Sequence, residues 1–212
     1  GYEESVLQMA LDPKVQQINM NPAALDDVFA SFKAYIESHK EAMYMYIGTV
    51  NKDMYMYPIE ELPEGYDPTA RPWYQEAVKR NTLVWTEPYA DASSGKLIIS
   101  VAQPVYNKLN RNELVGVLAV DISLDVLTEK ISSMKLGEKG YPILVSRDGN
   151  IMTHKIKEFI GKPIPVPEVR EAMKQKNEGI VKYQWEEDGV LKDRLAVFIK
   201  NEKLGWSILG AT

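Results

Sequence analysis

Over the first forty residues, apolar positions recur every three to four residues, which is the spacing of one face of an α-helix. The pattern begins with Leu7, Leu11, Val15 and Ile18. Asp12-Pro13 is either a kink or the start of a new helix. The pattern resumes after Asn21, a candidate helix cap that precedes a proline and two early acidic residues. The sequence therefore predicts a long helical segment over residues 1–40.

From residue 41 the apolar period changes to two, which is typical of β-strands. The runs "MYMYIGTV" and "DMYMYP" predict a hairpin that turns at Asn51-Lys52. Further strands are predicted over 83–91, 96–106 and 113–123, followed by a helix over 123–135. The strand 113–123 is apolar on both faces, which marks it as central and buried. Residues 41–135 thus form a predicted module around an antiparallel sheet.

A second unit repeats this order after a boundary near Leu136 to Gly140. Two hairpins are predicted, around Asp148-Gly149 and Asp188-Gly189, because Asp-Gly between apolar runs favours a tight turn. A helix is predicted between them, within 166–179, and a last strand follows near the end of the chain. The predicted fold class is α+β, with a second module over 136–212.

Composition excludes several functions. The chain has 212 residues, a net charge of −5, a pI near 5.2 and no cysteine, which argues against nucleic-acid partners and excludes thiolate chemistry. Its longest clean apolar run, Leu114–Val120, is far shorter than the roughly 20 residues of a membrane helix. Nucleotide, metal and hydrolase motifs are missing, so we expect no cofactor, no metal and no catalytic residues. The histidines, His39 and His154, are expected at the surface.

One stretch, "YDPTARPWYQEA", carries candidate binding chemistry. Arg71 precedes Pro72, so its backbone should be extended at the entry to a helix, where a guanidinium and free amides favour a carboxylate. Trp73 adds an indole N–H, and Tyr66 and Tyr74 add hydroxyls. A simpler interpretation remains open, in which the aromatic residues are the buried face of an amphipathic helix and the arginine is a surface charge.

Candidate anionic groups lie further along the chain. Asp121 ends the buried strand 113–123, and a carboxylate there needs a cation or several donors; small Ala119 and Gly116 leave space nearby. Tyr89 and Asp91 stand two apart, on one face of a predicted strand. Alternatively, Asp121 caps the following helix and Asp91 opens a turn. Donors on one side and carboxylates on the other would match a zwitterion, of which an α-amino acid is the commonest small one.

These residues resemble a known family. The run from "YDPTARPWYQEAV" through "VWTEPYADASSGKLIISVAQPVY" to "LVGVLAVDISLDVL" is similar to the membrane-distal module of double-Cache sensor domains, which lie outside the membrane in chemoreceptors and sensor histidine kinases. "GEKGYPILVSRDGNIMTH" is similar to the start of the membrane-proximal module. The resemblance covers nearly the whole chain and implies two PAS-like units with mixed or antiparallel sheets behind the N-terminal helix.

The resemblance also implies roles for the individual residues. The ligand carboxylate would be held by Arg71 and Trp73, with Tyr74 supporting them. The ligand ammonium would be held by Tyr66, Asp91 and Asp121, and Tyr89 would line the pocket. The Met-rich hairpin at 43–58 weakly favours an uncharged ligand side chain.

The resulting prediction is an extracytoplasmic sensor of an α-amino acid, not an enzyme, within a membrane-anchored homodimeric receptor. We expect the natural protein to be longer, with membrane helices on both sides of the chain, and we expect the second unit not to bind the main ligand. Three alternatives remain open. They are a sensor of a biogenic amine or small carboxylate, a hydrolase built on Asp91 and Asp121, and a structural dimerisation module.

Overall fold

The computed structural model describes residues 1–134 and 140–211. Its α-helices are α1 (Tyr2–Ala10), α2 (Pro13–Gln16), α3 (Leu25–Ser38), α4 (Pro72–Arg80), α5 (Leu124–Ser132) and α6 (Pro167–Gln175). Its strands are β1 (Ala42–Thr49), β2 (Met54–Tyr57), β3 (Val84–Trp85), β4 (Tyr89–Ala90), β5 (Leu97–Asn107), β6 (Glu113–Ser123), β7 (Pro142–Val145), β8 (Glu178–Glu187), β9 (Val190–Lys200) and β10 (Ser207–Ala211). The predicted α+β class is confirmed.

The N-terminal segment is helical, but the prediction of one long helix is only partly right. The chain leaves helical geometry after α1, and Asp12 caps α2 by accepting a hydrogen bond from the backbone N–H of Lys14 at 2.8 Å. Pro13 occupies the first turn of α2, where its missing N–H has no cost. A short 3-10 helix, Pro22–Ala24, precedes α3. Each proline thus starts a new helical piece.

The first sheet has the order β2-β1-β6-β5-β3, with β4 also paired to β5. The antiparallel pairs are β1 with β2, β1 with β6, β3 with β5, and β5 with β6. Strand β6 therefore lies between β1 and β5, as its two apolar faces predict. One face of this sheet buries Met45, Ile47 and Val120. Helices α1 and α3 pack on the sheet strands. The alternate residues of the same strands form the opposite face, which carries the candidate site.

The second sheet has the order β7-β10-β9-β8 and is also antiparallel. The hairpin β8–β9 turns at Asp188-Gly189, both with positive φ (54° and 76°), as predicted. The predicted hairpin at Asp148-Gly149 is short. Ser146 N–H donates to the Asn150 carbonyl, Met152 N–H donates to the Leu144 carbonyl, and Ile151 bridges Val145 between them.

The chain falls into two compact units, residues 1–86 with 90–123 and residues 87–89 with 124–212. The predicted domain limits at 40 and 135 stay a prediction, and most of the predicted boundary Leu136 to Gly140 lies outside the described residues. In the described part of the chain, no helix combines the length and apolarity that crossing a bilayer requires.

Candidate functional site

The floor of the candidate site is formed by three neighbouring strands of the first unit. The register places Tyr44 on β1 and Ser100 on β5 on either side of Asp121 on β6. Two residues further along these strands, Ala119 is paired with Ala102 on one side and with Tyr46 on the other. The two alanines have small side chains. The floor therefore combines hydroxyl groups and one carboxylate with a patch of small side chains.

Asp121 is the most strongly perturbed group of this site. It is 3% exposed, and its Oδ1 accepts hydrogen bonds from the Tyr46 hydroxyl at 2.6 Å and the Ser100 hydroxyl at 2.5 Å. Burial raises the pKa of Asp121 to about 7, although the two hydroxyl donors oppose the shift. The charge of Arg71 also lowers the pKa of Asp121, but its effect is the smallest of those that act on this group. The carboxylate is thus held by hydroxyls in a site where a closer cation would stabilise its charge.

Arg71 lies at the entry to α4, as predicted. Its backbone is extended (φ −81°, ψ 149°) because Pro72 disfavours helical geometry at the preceding residue, and α4 begins at that proline. Its Nη2 donates to the carbonyl of Ala90 at 3.1 Å, and its Cζ lies 5.9 Å from the centroid of the Tyr66 ring. The side chain is therefore oriented by the Ala90 carbonyl of β4 and by an aromatic face at the helix N-terminus.

Trp73 and Tyr74 are buried, as the simpler interpretation required, whereas Tyr66 is half-buried. Trp73 is 1% exposed, and its ring packs edge-on against Tyr46 with centroids 4.9 Å apart, which brings α4 onto the site face of the sheet. Tyr74 packs against Trp73 at 5.7 Å. Burial raises the pKa of Tyr74, with Asp67 as the second cause. Trp73 is thus a core residue that also borders the candidate site.

Tyr66 connects the two charged ends of the site. Burial raises its pKa; Arg71 and a hydrogen bond from Trp73 oppose the shift, while Asp121 and Asp91 add to it. Both signs of charge therefore act on one hydroxyl. Arg71, Trp73, Asp91 and Asp121 thus all influence the ionisation of this tyrosine.

Asp91 lies in a turn and not on a strand face, which corrects the predicted placement. Its Oδ2 accepts from Ser93 Oγ at 2.9 Å, Ser94 N at 2.8 Å and Ser94 Oγ at 2.6 Å. Burial opposes ionisation of Asp91, but these donors outweigh it and lower its pKa. Asp91 therefore opens the turn, as the alternative proposed, and still acts electrostatically on Tyr44, Tyr66 and Asp121. Tyr89 is half-buried and falls in the second unit.

Two sequence-based interpretations near Asp121 are wrong. Asp121 does not cap the following helix, because α5 begins at Leu124 and the carboxylate bonds within the sheet. Gly116 does not provide space for a ligand. A Cβ there would lie 2.1 Å from the carbonyl oxygen of Gly48, so the glycine permits close approach of β6 and β1.

Sequence reasoning missed four residues of the site. Tyr44, Tyr46 and Ser100 share the floor with Asp121, and a Cβ on Gly48 would lie 2.6 Å from Cη2 of Trp73. The alternation of tyrosines in "MYMYIGTV" and the single hydroxyl in "KLIIS" were the available signals. Neither signal could assign a partner without the strand register.

The described residues contain no cluster of acidic or histidine side chains that could hold a metal ion. The two histidines are half-buried, contrary to the expectation of surface positions. His39 stacks on Tyr35 with ring centroids 4.1 Å apart.

The site as a whole contains a guanidinium and an indole beside two carboxylates and several hydroxyls. This arrangement complements a small zwitterion.

Comparisons with known proteins agree with this architecture. A family model described as a Cache domain, dCache_1, matches residues 4–212, and the chain belongs to this double-Cache family. The chain is 30% identical over 210 residues to the methyl-accepting chemotaxis protein McpB of Bacillus subtilis, covering 99% of this chain and 29% of that protein. The chain thus spans about three tenths of that relative's length. The family is one of chemoreceptor sensor domains, not of enzymes.

Solved structures extend the comparison to ligand complexes. The ligand-binding domain of the Pseudomonas fluorescens chemoreceptor CtaA with L-serine is 31% identical, has a TM-score of 0.72, and is matched over 99% of this chain and 87% of that one. Its complex with L-isoleucine is 30% identical with a TM-score of 0.71, over 96% and 82%. The Pseudomonas aeruginosa receptor PctB with L-Arg, at 23% identity and a TM-score of 0.76 over 99% and 84%, supports the fold alone.

Proposed function

We propose that this chain is the ligand-binding ectodomain of a chemoreceptor and that it binds an α-amino acid in the first unit. Arg71 and Trp73 hold the carboxylate, with Tyr74 supporting Trp73 by packing. Tyr66, Asp91 and Asp121 hold the ammonium. Tyr44, Tyr46 and Ser100 complete the ammonium end. The relatives that bind amino acids support this assignment by likeness.

The main support for the proposal is the buried carboxylate of Asp121. Burial of a charge is costly unless a cation or several donors compensate, and hydroxyl bonds leave the pKa of Asp121 at about 7. A ligand ammonium at this position would supply the missing positive charge. The opposite charge of the ligand would then meet Arg71, because the guanidinium is the cation that acts on both Tyr66 and Asp121.

The larger receptor belongs to the same proposal. The matched relatives are methyl-accepting chemotaxis proteins about three times as long as this chain. We therefore propose an extracytoplasmic location for this domain, in a membrane-anchored homodimeric parent.

The test is calorimetry with a panel of α-amino acids, each accompanied by its decarboxylated amine and its deaminated acid. The proposal predicts that one or a few intact amino acids bind and that both derivatives bind about 30-fold or more weakly. If the unmodified protein binds the decarboxylated amine as tightly as the intact amino acid, the site is that of an amine sensor instead. Product formation would indicate an enzyme, and no binding across the panel would indicate a structural module.

A further inference from the structure

The second unit contains its own cleft, of about 310 Å³, which the amino-acid site does not use. Its position follows from topology. In the first unit the strands are ordered β1-β6-β5-β3, with α4 preceding β3 in the chain, and in the second they are ordered β7-β10-β9-β8, with α6 preceding β8. The cleft lies on the α6 face of its sheet, as the amino-acid site lies on the α4 face. It is the topological equivalent of that site with different side chains.

The walls of this cleft are apolar and aromatic. Aliphatic side chains come from β7, β10, α6 and the loop before α6, as with Ile143, Leu209 and Val169. Phe159 and Trp185 add aromatic surface. Several of the lining residues belong to the buried core of this unit, so the cleft floor is fixed by packing. Such a concave, largely apolar site of this size suits a small molecule.

The polar groups of the cleft are biased toward donors. Arg194 and Lys192 both bond Glu187, at 2.6 Å and 2.8 Å, so one acidic group faces two cations. Burial raises the pKa of the Tyr183 hydroxyl, and Arg194 opposes this shift, so the guanidinium acts on that hydroxyl. The Arg194 guanidinium therefore lies beside the aromatic wall, and its carboxylate partner Glu187 is shared with Lys192, which does not line the cleft.

His154 adds a neutral donor. Burial lowers the pKa of its imidazole, so the ring is uncharged near neutral pH. Its Nδ1 accepts from the backbone N–H of Ile156 at 2.9 Å, which assigns the remaining proton to Nε2. Nε2 has the Tyr141 hydroxyl at 3.5 Å. Among the described residues that line the cleft, Glu187 is the one carboxylate, and its two cations leave it a poor partner for an ammonium.

We infer that this cleft binds a small monocarboxylate with an apolar body and no α-amino group. The apolar part packs between the aliphatic floor and Trp185, and the carboxylate accepts from Arg194, aided by Tyr183 and the Nε2–H of His154. This site would respond to organic acids independently of the amino-acid site.

Calorimetry with 4-methylpentanoate tests this inference, because L-leucine has the same carbon skeleton with an added ammonium and 4-methylpentanamide lacks the charge. The acid should bind the unmodified protein and Arg71→Ala equally, while Arg194→Gln should weaken it about tenfold or more. The amide should bind more weakly than the acid, and leucine should not displace the acid from Arg71→Ala. Lys182→Gln, at an exposed position of β8, is the matched control and should bind normally.

Absence of binding at millimolar acid would overturn the inference, and so would binding that depends on Arg71 or is indifferent to Arg194→Gln. If melting shows that Arg194→Gln does not fold, Trp185→Ala takes its place, with the same loss expected from the missing aromatic wall. Since the amino-acid site is tested through Arg71 and Asp121, either conclusion can fail without the other.

Discussion

Asp121 gives the molecule a pH dependence whose sign differs between folding and binding. Its pKa of about 7 in the folded state lies far above that of an unfolded aspartate. The folded state therefore holds the proton more tightly, and the ligand-free protein should lose stability as pH rises from about 4 to about 7. An ammonium ligand needs the ionised form, so its affinity should rise over the upper part of that range.

Melting of the ligand-free protein and amino-acid titrations between pH 5 and pH 8 measure both trends. Asp121→Asn should remove this contribution to the stability trend and abolish most of the binding. Asp26→Asn, at an exposed position of α3, should leave both trends intact. Affinity that falls between pH 5 and pH 7 would contradict an ionised Asp121 at the ammonium.

Tyr46→Phe tests whether the hydroxyl donors tune this carboxylate. The change removes the 2.6 Å hydrogen bond to Oδ1 and leaves the aromatic packing against Trp73 in place. Without that donor the pKa of Asp121 should rise further, so the pH at which binding reaches half its maximal affinity should move upward. Ser100→Ala should act in the same direction, because its hydroxyl bonds the same oxygen. An unchanged midpoint in both variants would mean that these donors do not control the ionisation.

At the scale of elements, α4 positions the carboxylate end of the site, and its contact with β1 depends on Gly48. In Gly48→Ala the new Cβ would meet Cη2 of Trp73 at 2.6 Å and Cβ of Pro68 at 2.7 Å. The helix entry must then shift, at a cost of about 1–3 kcal/mol in stability, and amino-acid affinity should fall because Arg71 shifts with it.

Thermal unfolding and calorimetry measure both effects. The double variant Gly48→Ala, Trp73→Phe should melt higher than the sum of the single changes predicts, because a phenyl ring removes the clash with Cη2, although the clash with Pro68 remains. Strict additivity, or normal affinity in Gly48→Ala, would show that the glycine does not set the position of α4.

Local signals made some elements predictable from the sequence and left others uncertain. Pro72 gave both the start of α4 and the extended backbone of Arg71, because proline acts on its own and the preceding residue. Gly116 was misinterpreted because its role depends on the backbone of β1, far away in the chain. Asp91 was placed on a strand, although nearby serine donors select a turn. The partners of Asp121 needed the strand register, which no local pattern encodes.

For the whole molecule, we expect the amino acid to bind to the first unit alone. Hydrogen exchange with and without saturating ligand should show added protection within 42–49, 66–80, 97–102 and 117–123, where the site face and the start of α4 lie. Residues 141–211 should exchange as before, since their cleft has no free acidic partner for an ammonium. Protection confined to 141–211 would place the main ligand in the second unit and contradict the assignment.

If Arg71 and Asp121 bind opposite ends of one ligand, the effect of changing either residue should depend on which end of the ligand is missing. Calorimetry would compare the unmodified protein, Arg71→Ala and Asp121→Asn, each against the best-binding amino acid, its amine and its acid, with Arg80→Ala on α4 as the control. Each residue change should cost about 2–5 kcal/mol with the intact amino acid.

The comparison of affinity losses across the three ligands distinguishes the two ends of the site. The loss in Arg71→Ala should largely vanish with the amine, which has no carboxylate, and the loss in Asp121→Asn should largely vanish with the acid, which has no ammonium. Arg80→Ala should bind every ligand as the unmodified protein does. Equal losses with all three ligands, or near-normal affinity of both variants for the amino acid, would contradict the claim.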